Sequence, residues 1–396
     1  MTRGFRRYIT RRELLQGSLV AGGTLLLGFG EAAWSKRPQG AAKNPVAAGK
    51  KIGVMEFSNE APVPMQTVLG EELDGRLYTD LSKLTPETLV TPTEDFYLRT
   101  RASQLLDTKS PWVVRIGGLV ARPFQLNLEE LKKTAKPMGL HLMECAGNAR
   151  SVHFGLMSAA EWSGVPLADV LESAKAKSQG IRVLLSGFDV YSAKSATSVP
   201  GASWIFTAEE LKAAGAFLAT EMNGAPLTGD HGAPLRLMVP GWYGCTCIKW
   251  LNEISFVDER AEATSQMLEY ATRTMQKGAP VLANEYQPAV VEPVAMPIRV
   301  EKWADSDKIQ YRVVGILWGG SRPVKQLQIR FNPEEDYVSV DELQSGDNNT
   351  WRFWTHTWVP AKPDSYHIRL RVADTGMATR RLDTGYYMRS VEIQEV

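Results

Sequence analysis

The stretch from His141 to Arg150 combines the residue types that could hold a metal or attack a substrate. It reads His-Leu-Met-Glu-Cys-Ala-Gly-Asn-Ala-Arg, so the thiol of Cys145 stands directly before a turn of small residues. Gly147 and Asn148 tolerate tight-turn geometry, and the arginine brings positive charge nearby. Cationic surroundings favour the thiolate, which is the metal-binding and nucleophilic form of cysteine. The pattern predicts a reactive thiol that projects from a loop, and the alternative is a small buried hydrophobe.

A second chemistry open to the same thiol is hydrolysis. Cys145 would then be the nucleophile, with His141 or His153 as its general base. The sequence suggests no third residue that would orient such a base, but the hypothesis stays open beside metal binding.

Composition and cysteine count narrow the class of protein. The chain has 396 residues and a net charge of +1, which predicts two domains plus extra segments and no nucleic-acid partner. Its three cysteines cannot form a disulfide framework. Cys245 and Cys247 stand one residue apart, which strains a local disulfide and lacks the partners of a zinc site. We expect both to be buried and structural, with a redox-active pair as the alternative. No C-x-x-C-H motif occurs, so we expect no haem in this chain.

The N-terminal residues predict an export signal rather than part of the fold. Residues 1–35 contain the twin-arginine pattern Arg11-Arg12-Glu-Leu-Leu, followed by a glycine-interrupted apolar stretch. That stretch is weaker than the roughly 20 apolar residues of a membrane span. We expect a periplasmic protein exported by the twin-arginine route; an ordinary secretion signal and an uncleaved anchor are the alternatives. Residues 36–53 are rich in Lys, Ala, Gly and Pro and predict a flexible linker.

The remaining chain divides into two regions of different pattern. Residues 54–257 mix strands and helices, with helix starts signalled by Asn127, by Pro166 and by a capping box from Thr207 to Glu210. Irregular alternation of this kind predicts an α+β domain. Residues 258–292 predict a connecting segment. Residues 293–396 contain short alternating strands between turn signals, which predict an all-β sandwich.

Four motifs in a fixed order resemble the sulfite oxidase family of molybdopterin oxidoreductases. The loop at Cys145 is similar to the family's C-x-G-N-x-R loop, and residues 91–101 to its T-P-x-x-x-F-[FY]-x-R-x-H segment. Residues 221–236 resemble its E-M-N-G-x-P-L-x-x-D-H-G-x-P-x-R block, and residues 240–250 its P-G-x-x-G-x-x-S-x-K-W block. The resemblance runs from about Glu56 to the C-terminus and is strong up to Val257. It implies an α+β molybdopterin-binding domain followed by an immunoglobulin-like sandwich domain that forms a homodimer.

The resemblance also implies roles for individual residues. It implies one Mo-molybdopterin per chain with Cys145 as the metal ligand. Arg99 and Arg150 would bind the substrate, since a planar, permanently charged guanidinium suits an oxyanion. Tyr270 would orient an oxo ligand, and the alternative is a plain connecting tyrosine. The residues implied to bind the cofactor are Tyr97, Arg99, Arg101, Asp189, His231, Arg236, Cys247, Ile248 and Lys249.

Two departures from the family pattern bear on the substrate. Arg101 stands where the family has histidine, which adds positive charge near the anion site. The C-terminal segment lacks the family's tryptophan-asparagine signature, so a further substrate arginine would have to be Arg380 or Arg381.

The function implied by the resemblance is oxidation of sulfite to sulfate by oxo transfer. Electrons would pass to a separate carrier, a c-type cytochrome, in a transient encounter. One alternative keeps the cofactor but takes another sulfur substrate, either a sulfane sulfur or a sulfoxide. The other alternative is a catalytically degenerate member that serves as a binding module.

Overall fold

The computed structural model describes residues 49–71, 74–101, 111–176, 181–188, 202–305 and 308–396. The predicted signal segment, most of the predicted linker and the candidate cofactor ligand Asp189 lie outside these ranges. Within the ranges given, none of the helices is both long enough and apolar enough to span a bilayer.

The first two strands join the C-terminal domain, although sequence placed their residues elsewhere. They are β1 (Lys50–Met55) and β2 (Phe57–Ser58). β1 pairs antiparallel with residues 294–305, and β2 pairs with residues 389–393. The linker predicted at 36–53 therefore ends earlier, and the residues just after it belong to the sandwich rather than to the predicted 54–257 domain. The strand was missed because its lysines and exposed faces suit a sheet edge and give no buried alternation.

The first domain is built from two sheets, a small strand pair and short helices. Its strands are β3 (Asp74–Leu77), β4 (Leu98–Thr100), β5 (Val113–Gly118), β6 (Phe124–Asn127), β7 (Lys136–Glu144), β8 (Met157–Pro166), β9 (Arg182–Gly187), β10 (Ser203–Thr207), β11 (Phe217–Met222), β12 (Ala225–Pro226), β13 (Arg236–Met238) and β14 (Leu251–Val257). Its helices are α1 (Leu128–Lys133), α2 (Leu167–Ala174) and α3 (Ala208–Ala213), and α4 (Ser265–Tyr270) follows in the connecting segment. The order β10-β9-β14-β5-β6 forms one sheet, in which β14 and β5 are parallel. The order β12-β11-β8-β7 forms the other, with β13 also paired to β11.

Helices begin at the three predicted positions, and the Asn127 and Thr207 side chains cap free amides of the first turn, whereas Pro166 makes no capping bond. The Asn127 side chain accepts from the amide of Glu129 at 2.8 Å. Thr207 and Glu210 form the expected reciprocal capping box, with bonds of 3.0 and 2.8 Å.

The C-terminal domain is the predicted all-β sandwich. Its further strands are β15 (Val294–Asp305), β16 (Lys308–Trp318), β17 (Leu327–Arg330), β18 (Val338–Ser339), β19 (Glu342–Leu343), β20 (Arg352–Trp358), β21 (Asp364–Val372) and β22 (Arg389–Ile393), with a short helix α5 (Arg380–Asp383). The two five-stranded sheets have the orders β1-β15-β16-β20-β19 and β18-β17-β21-β22-β2.

Aromatic side chains fill the space between the two sheets of the sandwich. Phe331 stacks on Trp358 with ring centroids 4.1 Å apart. Gly315 lies against the fully buried Trp354, and a Cβ at this glycine would stand 2.1 Å from the indole. Each such buried aromatic contributes roughly 1.5–3 kcal/mol of transfer free energy.

The β7–β8 hairpin positions the candidate reactive thiol. Cys145 follows the last residue of β7, and the loop returns to β8 at Met157. The amide of Cys145 donates to the carbonyl of Leu156 at 2.9 Å, which closes the base of the loop. The thiol is therefore held by a long antiparallel ladder.

Candidate active site

A cavity in the first domain collects most of the residues that the sequence singled out. Four separate segments line it, at residues 96–100, 143–145, 230–249 and 266–270, together with Ala202. The predicted site residues that line it are Tyr97, Arg99, Cys145, His231, Arg236, Cys247, Ile248, Lys249 and Tyr270.

The thiol of Cys145 reaches this cavity from a buried position. Cys145 is only 5% exposed, and its Sγ accepts a hydrogen bond from the Gly147 amide at 3.4 Å. Burial raises the pKa of Cys145, although the Gly147 amide and the cations of Arg99 and Arg273 act in the opposite direction. The expectation that nearby cations favour the thiolate is therefore not met in the metal-free chain, because burial outweighs the cations. Deprotonation of such a thiol needs a stronger positive partner, as a bound metal provides.

Two guanidinium groups lie near the thiol, and only one of them was predicted. Arg99 lines the cavity and stands 3.6 Å from the carboxylate of Asp74. A Cβ added at Gly147 would lie 3.6 Å from Nη1 of Arg273 and 3.8 Å from Sγ of Cys145. Arg273 therefore stands at the edge of the thiol loop. The only sequence signal for it is its spacing of three residues from Tyr270, one helical turn away.

Arg150 and Arg101, both predicted to act in the site, do not line the cavity. Arg150 donates to the carbonyl of Met388 in the C-terminal domain. Arg101 lies beside the site, with its Nε 3.9 Å from the carboxylate of Asp230. The motif match placed Arg150 correctly in the thiol loop, but the loop turns its side chain towards the sandwich.

Arg236 is a buried cation that calls for an anionic partner. Its Nη1 donates to the His231 carbonyl at 3.0 Å, and its Nη2 donates to the Cys247 carbonyl at 3.3 Å. Its Nε has no hydrogen-bond partner, and no carboxylate of the described residues lies within ion-pair distance. A buried charge without a counter-charge is costly. The residues present therefore fit an anionic, phosphate-bearing group in this cavity.

His231 is neutral and already fully hydrogen-bonded. Burial lowers its pKa to about 4, assisted by the nearby Lys249 and Arg236 cations. Its Nδ1 stands 2.7 Å from the Thr228 hydroxyl, and its Nε2 stands 3.1 Å from the Phe96 carbonyl. Because a carbonyl only accepts, Nε2 carries the proton. Both ring nitrogens are therefore bonded to protein groups, and the ring also lines the cavity.

Lys249 brings its ammonium group to the rim of the same cavity. It donates to the Asp230 carbonyl at 2.9 Å and to the Thr100 carbonyl, and it lies 4.3 Å from the centre of the Trp250 ring. The Lys249 ammonium can bind an anion in the cavity only if it shares the hydrogen bonds that it makes to the two carbonyls.

Both histidines proposed for hydrolysis bond elsewhere. His141 has its Nε2 2.9 Å from the Met138 carbonyl, and His153 has its Nε2 2.7 Å from the Ala61 carbonyl. No hydrogen bond joins either ring to Cys145 in the part of the chain that the structure describes. The geometry therefore gives the cysteine hydrolase no general base.

The remaining cysteines are buried and free, as expected, but they also line the cavity. Cys247 accepts from the Val239 amide at 3.4 Å, while its carbonyl is bonded to Arg236. Sequence reasoning also missed Gln266 and Glu269, whose helix α4 carries Tyr270 to the cavity. The described residues include no cluster of three or more His, Cys, Asp or Glu that could hold a metal ion. A metal on Cys145 would therefore take its other ligands from a cofactor.

The two C-terminal arginines differ sharply in their surroundings. Arg380 is exposed and pairs with Glu292, with 2.7 Å between Nε and the carboxylate. Arg381 is 7% exposed and donates to the carbonyl of Ala146, next to Cys145, at 2.9 Å. Arg381 is therefore the one that reaches the thiol loop.

Comparison with known proteins agrees with this geometry. Residues 102–265 match the family model described as "Oxidoreductase molybdopterin binding domain". The mitochondrial sulfite oxidase of Drosophila melanogaster is 26% identical over 79% of this chain and 57% of its own length. The sulfite oxidase of Gallus gallus is 28% identical over 71% of this chain and 65% of its own length. The chain thus spans less than two thirds of these relatives.

Similarity extends to one enzyme of another name and to one solved structure. An NADPH nitrate reductase of Fusarium oxysporum is 26% identical over 62% of this chain and 31% of its own length. The sulfane dehydrogenase SoxCD of Paracoccus pantotrophus has a TM-score of 0.60 at 16% identity, over 91% of this chain and 96% of that one. The latter shares the fold. Residues 102–265 thus match an oxidoreductase molybdopterin-binding domain, and the chain is similar in sequence to sulfite oxidases and in fold to a sulfane dehydrogenase.

Proposed function

We propose that this chain oxidises sulfite to sulfate at the cavity that holds Cys145. This proposal rests on one observation: the buried thiol of Cys145 and Arg99 line the same cavity. Sulfite and one water give sulfate, two protons and two electrons, so the reaction needs an electron acceptor. Mo-molybdopterin, when bound, would supply the oxo-transfer and redox chemistry.

The residues of the chain would hold this cofactor and shape its surroundings. Cys145 would bind the molybdenum through Sγ. Arg236 would neutralise the cofactor's phosphate, because its buried charge has no carboxylate partner among the described residues. Cys247, Ile248 and Lys249 line the same cavity, where the main chain of the first two would contact the cofactor. These roles rest on the motif match together with this lining.

Substrate binding would fall to the charged and hydroxyl groups nearest the thiol. Arg99 supplies a fixed positive charge that Asp74 orients. Burial raises the pKa of Tyr270, so its hydroxyl stays protonated and can donate to a bound oxyanion. Glu269 adds a carboxylate to the same lining, and this charge would oppose a dianion. That carboxylate is the observation that keeps a less charged sulfur substrate, such as a sulfane sulfur or a sulfoxide, as the second candidate.

We further propose the partners and location that the sequence suggests. The twin-arginine pattern at Arg11 and Arg12 supports export to the periplasm, where a folded, cofactor-loaded enzyme would be delivered. Electrons would leave to a separate c-type cytochrome, and the sandwich would form a homodimer. A degenerate binding module remains the alternative from another class, and retention of biological activity by Cys145→Ser would favour it.

Steady-state assays of the purified holoprotein test this proposal. Sulfite with an artificial electron acceptor should give sulfate. Assays with a sulfane sulfur substrate, and with a sulfoxide under reducing conditions, should give much lower kcat/KM. A preference for either rival overturns sulfite as the substrate. No turnover with any of them, in protein that contains molybdenum, overturns the proposed class of reaction.

A further inference from the structure

Glu144 is a completely buried carboxylate directly before Cys145. Its Oε2 accepts from the Trp318 indole at 2.9 Å. Its Oε1 accepts from the Tyr387 hydroxyl at 2.8 Å and from the Asn148 amide at 3.3 Å. Two of these donors belong to the C-terminal domain. A carboxylate buried at this depth is retained only where several donors satisfy it.

The same network continues to the other side of Cys145. Nη1 of Arg381 stands 3.4 Å from the Tyr387 hydroxyl, which in turn donates to Glu144. Nη2 of Arg381 donates to the carbonyl of Ala146 at 2.9 Å. One arginine of the C-terminal domain therefore reaches both neighbours of Cys145, directly on one side and through a hydroxyl on the other.

Further contacts from the same C-terminal segment fix the rest of the loop. Tyr386 donates its hydroxyl hydrogen to the carbonyl of Asn148. The Tyr387 ring packs against Phe154 with centroids 5.2 Å apart. Phe154 is fully buried at a φ of +57°, a conformation that a bulky residue keeps only under strong packing.

We propose that Glu144, Tyr387 and Arg381 form a positioning network that sets the place of the Cys145 sulfur from the neighbouring domain. This inference rests on the proposed function, in which that sulfur binds molybdenum. Groups that orient a metal ligand also tune the metal, and their loss typically costs about 10- to 100-fold in metal affinity or activity. The network would thus control both cofactor retention and the electronic state of the centre.

The contacts of Arg381 argue against a direct role in substrate binding. Its Nη2 also donates to the Arg273 carbonyl, so both terminal nitrogens are occupied by protein groups. The rings of Tyr243 and Tyr386 lie 4.7 and 5.0 Å from its guanidinium carbon. Arg381 is not among the residues that line the cavity. The Arg381 guanidinium therefore binds protein groups around the thiol loop and does not face a ligand in the cavity.

Tyr387→Phe is the sharpest test, because it deletes only the central hydroxyl. Glu144 keeps its bonds to Trp318 and Asn148, and Arg381 keeps its bond to Ala146. In the purified holoprotein we expect an altered Mo(V) paramagnetic resonance spectrum. We also expect kcat to fall to about one tenth of the wild-type value or below. The KM for sulfite should stay within about twofold, since Arg99 is untouched. Arg380→Gln is the matched control, with the spectrum of the wild type.

Glu144→Gln provides a second variant in case the first folds poorly. The glutamine keeps the volume of the side chain but must turn an amide donor towards Trp318 or Tyr387. The same spectral change is expected, with lower molybdenum per chain. A spectrum, molybdenum content and kcat equal to the wild type in either folded variant overturn the network. A raised KM at unchanged spectrum in Arg381→Met would make Arg381 a substrate ligand instead and also overturn it. A wild type without molybdenum would refute the proposed function itself.

Discussion

The hydroxyl of Tyr387 donates a 2.8 Å hydrogen bond to Glu144 across 243 residues of chain. The acceptor ends the strand that leads to the candidate metal ligand, and the donor lies in the C-terminal domain. The two domains therefore build one site, although the described residues that line the cavity come from the first domain and the connecting segment. The sandwich is part of the support of the thiol loop as well as a domain of its own.

The buried ion pair between Glu60 and Arg389 is predicted to contribute most to holding the N-terminal strands β1 and β2 on the C-terminal domain. The two side chains are 3% and 6% exposed. Glu60→Gln should lower the free energy of unfolding by about 3–5 kcal/mol, because it leaves the arginine buried without its counter-charge. Urea denaturation measures this effect. Glu253→Gln is the matched control; its pair with Arg115 is exposed and contributes about 0–1 kcal/mol. Equal losses in both variants would contradict the prediction.

Removal of the buried charge at Arg236 should weaken the cofactor site without weakening the fold. In Arg236→Met we expect the molybdopterin content of the purified protein to fall at least about 10-fold, since a charged hydrogen bond contributes roughly 1.5–3 kcal/mol. The cofactor-free variant should melt no lower than the cofactor-free wild type, because it buries no unpaired cation. Cofactor analysis and calorimetry measure the two effects. Full cofactor content in the variant would remove Arg236 from the site.

Stability should fall in acid because of His231. Its folded pKa of about 4 lies below the reference value of 6.5. Between pH 4 and pH 6.5 the unfolded chain therefore binds more protons than the folded chain. The contribution of His231 to stability is fully present above about pH 6.5 and is lost as the pH falls towards about 4. The loss at this residue is roughly 3 kcal/mol at most. His231→Gln should flatten the change in unfolding free energy between neutral and acid pH. An unchanged slope would contradict the assigned neutral state.

Substitution of the two predicted substrate arginines, Arg99 and Arg150, should change the KM for sulfite by different amounts. Arg99 lines the cavity, so Arg99→Met should raise the KM for sulfite roughly 10- to 100-fold. Arg150 binds the Met388 carbonyl instead, so Arg150→Met should change KM much less and lower thermal stability. Steady-state kinetics and melting curves compare them. An equal rise in KM would show that Arg150 turns into the site when substrate binds.

Local signals in the sequence were sufficient for the helix caps and for most of the cavity. Asn127 and Thr207 act on amides two or three residues away, so their effect is readable from short spacing. Tyr97, Arg99 and Lys249 come from separate motif blocks, and all three line the cavity.

Other features depend on packing between distant segments and left no local signal. The direction of the Arg150 side chain, for example, follows from its bond to the Met388 carbonyl in the C-terminal segment. Arg273 and Glu269 reach the site only because α4 docks beside the thiol loop. A single sequence gives no spacing rule for such contacts.

X-ray absorption at the molybdenum edge measures whether Cys145 is a metal ligand. The Cys145→Ser holoprotein should have one sulfur fewer around the metal than the wild type, with the pterin sulfurs retained. An identical sulfur shell in both proteins would contradict it, because Sγ of Cys145 would then not be a ligand.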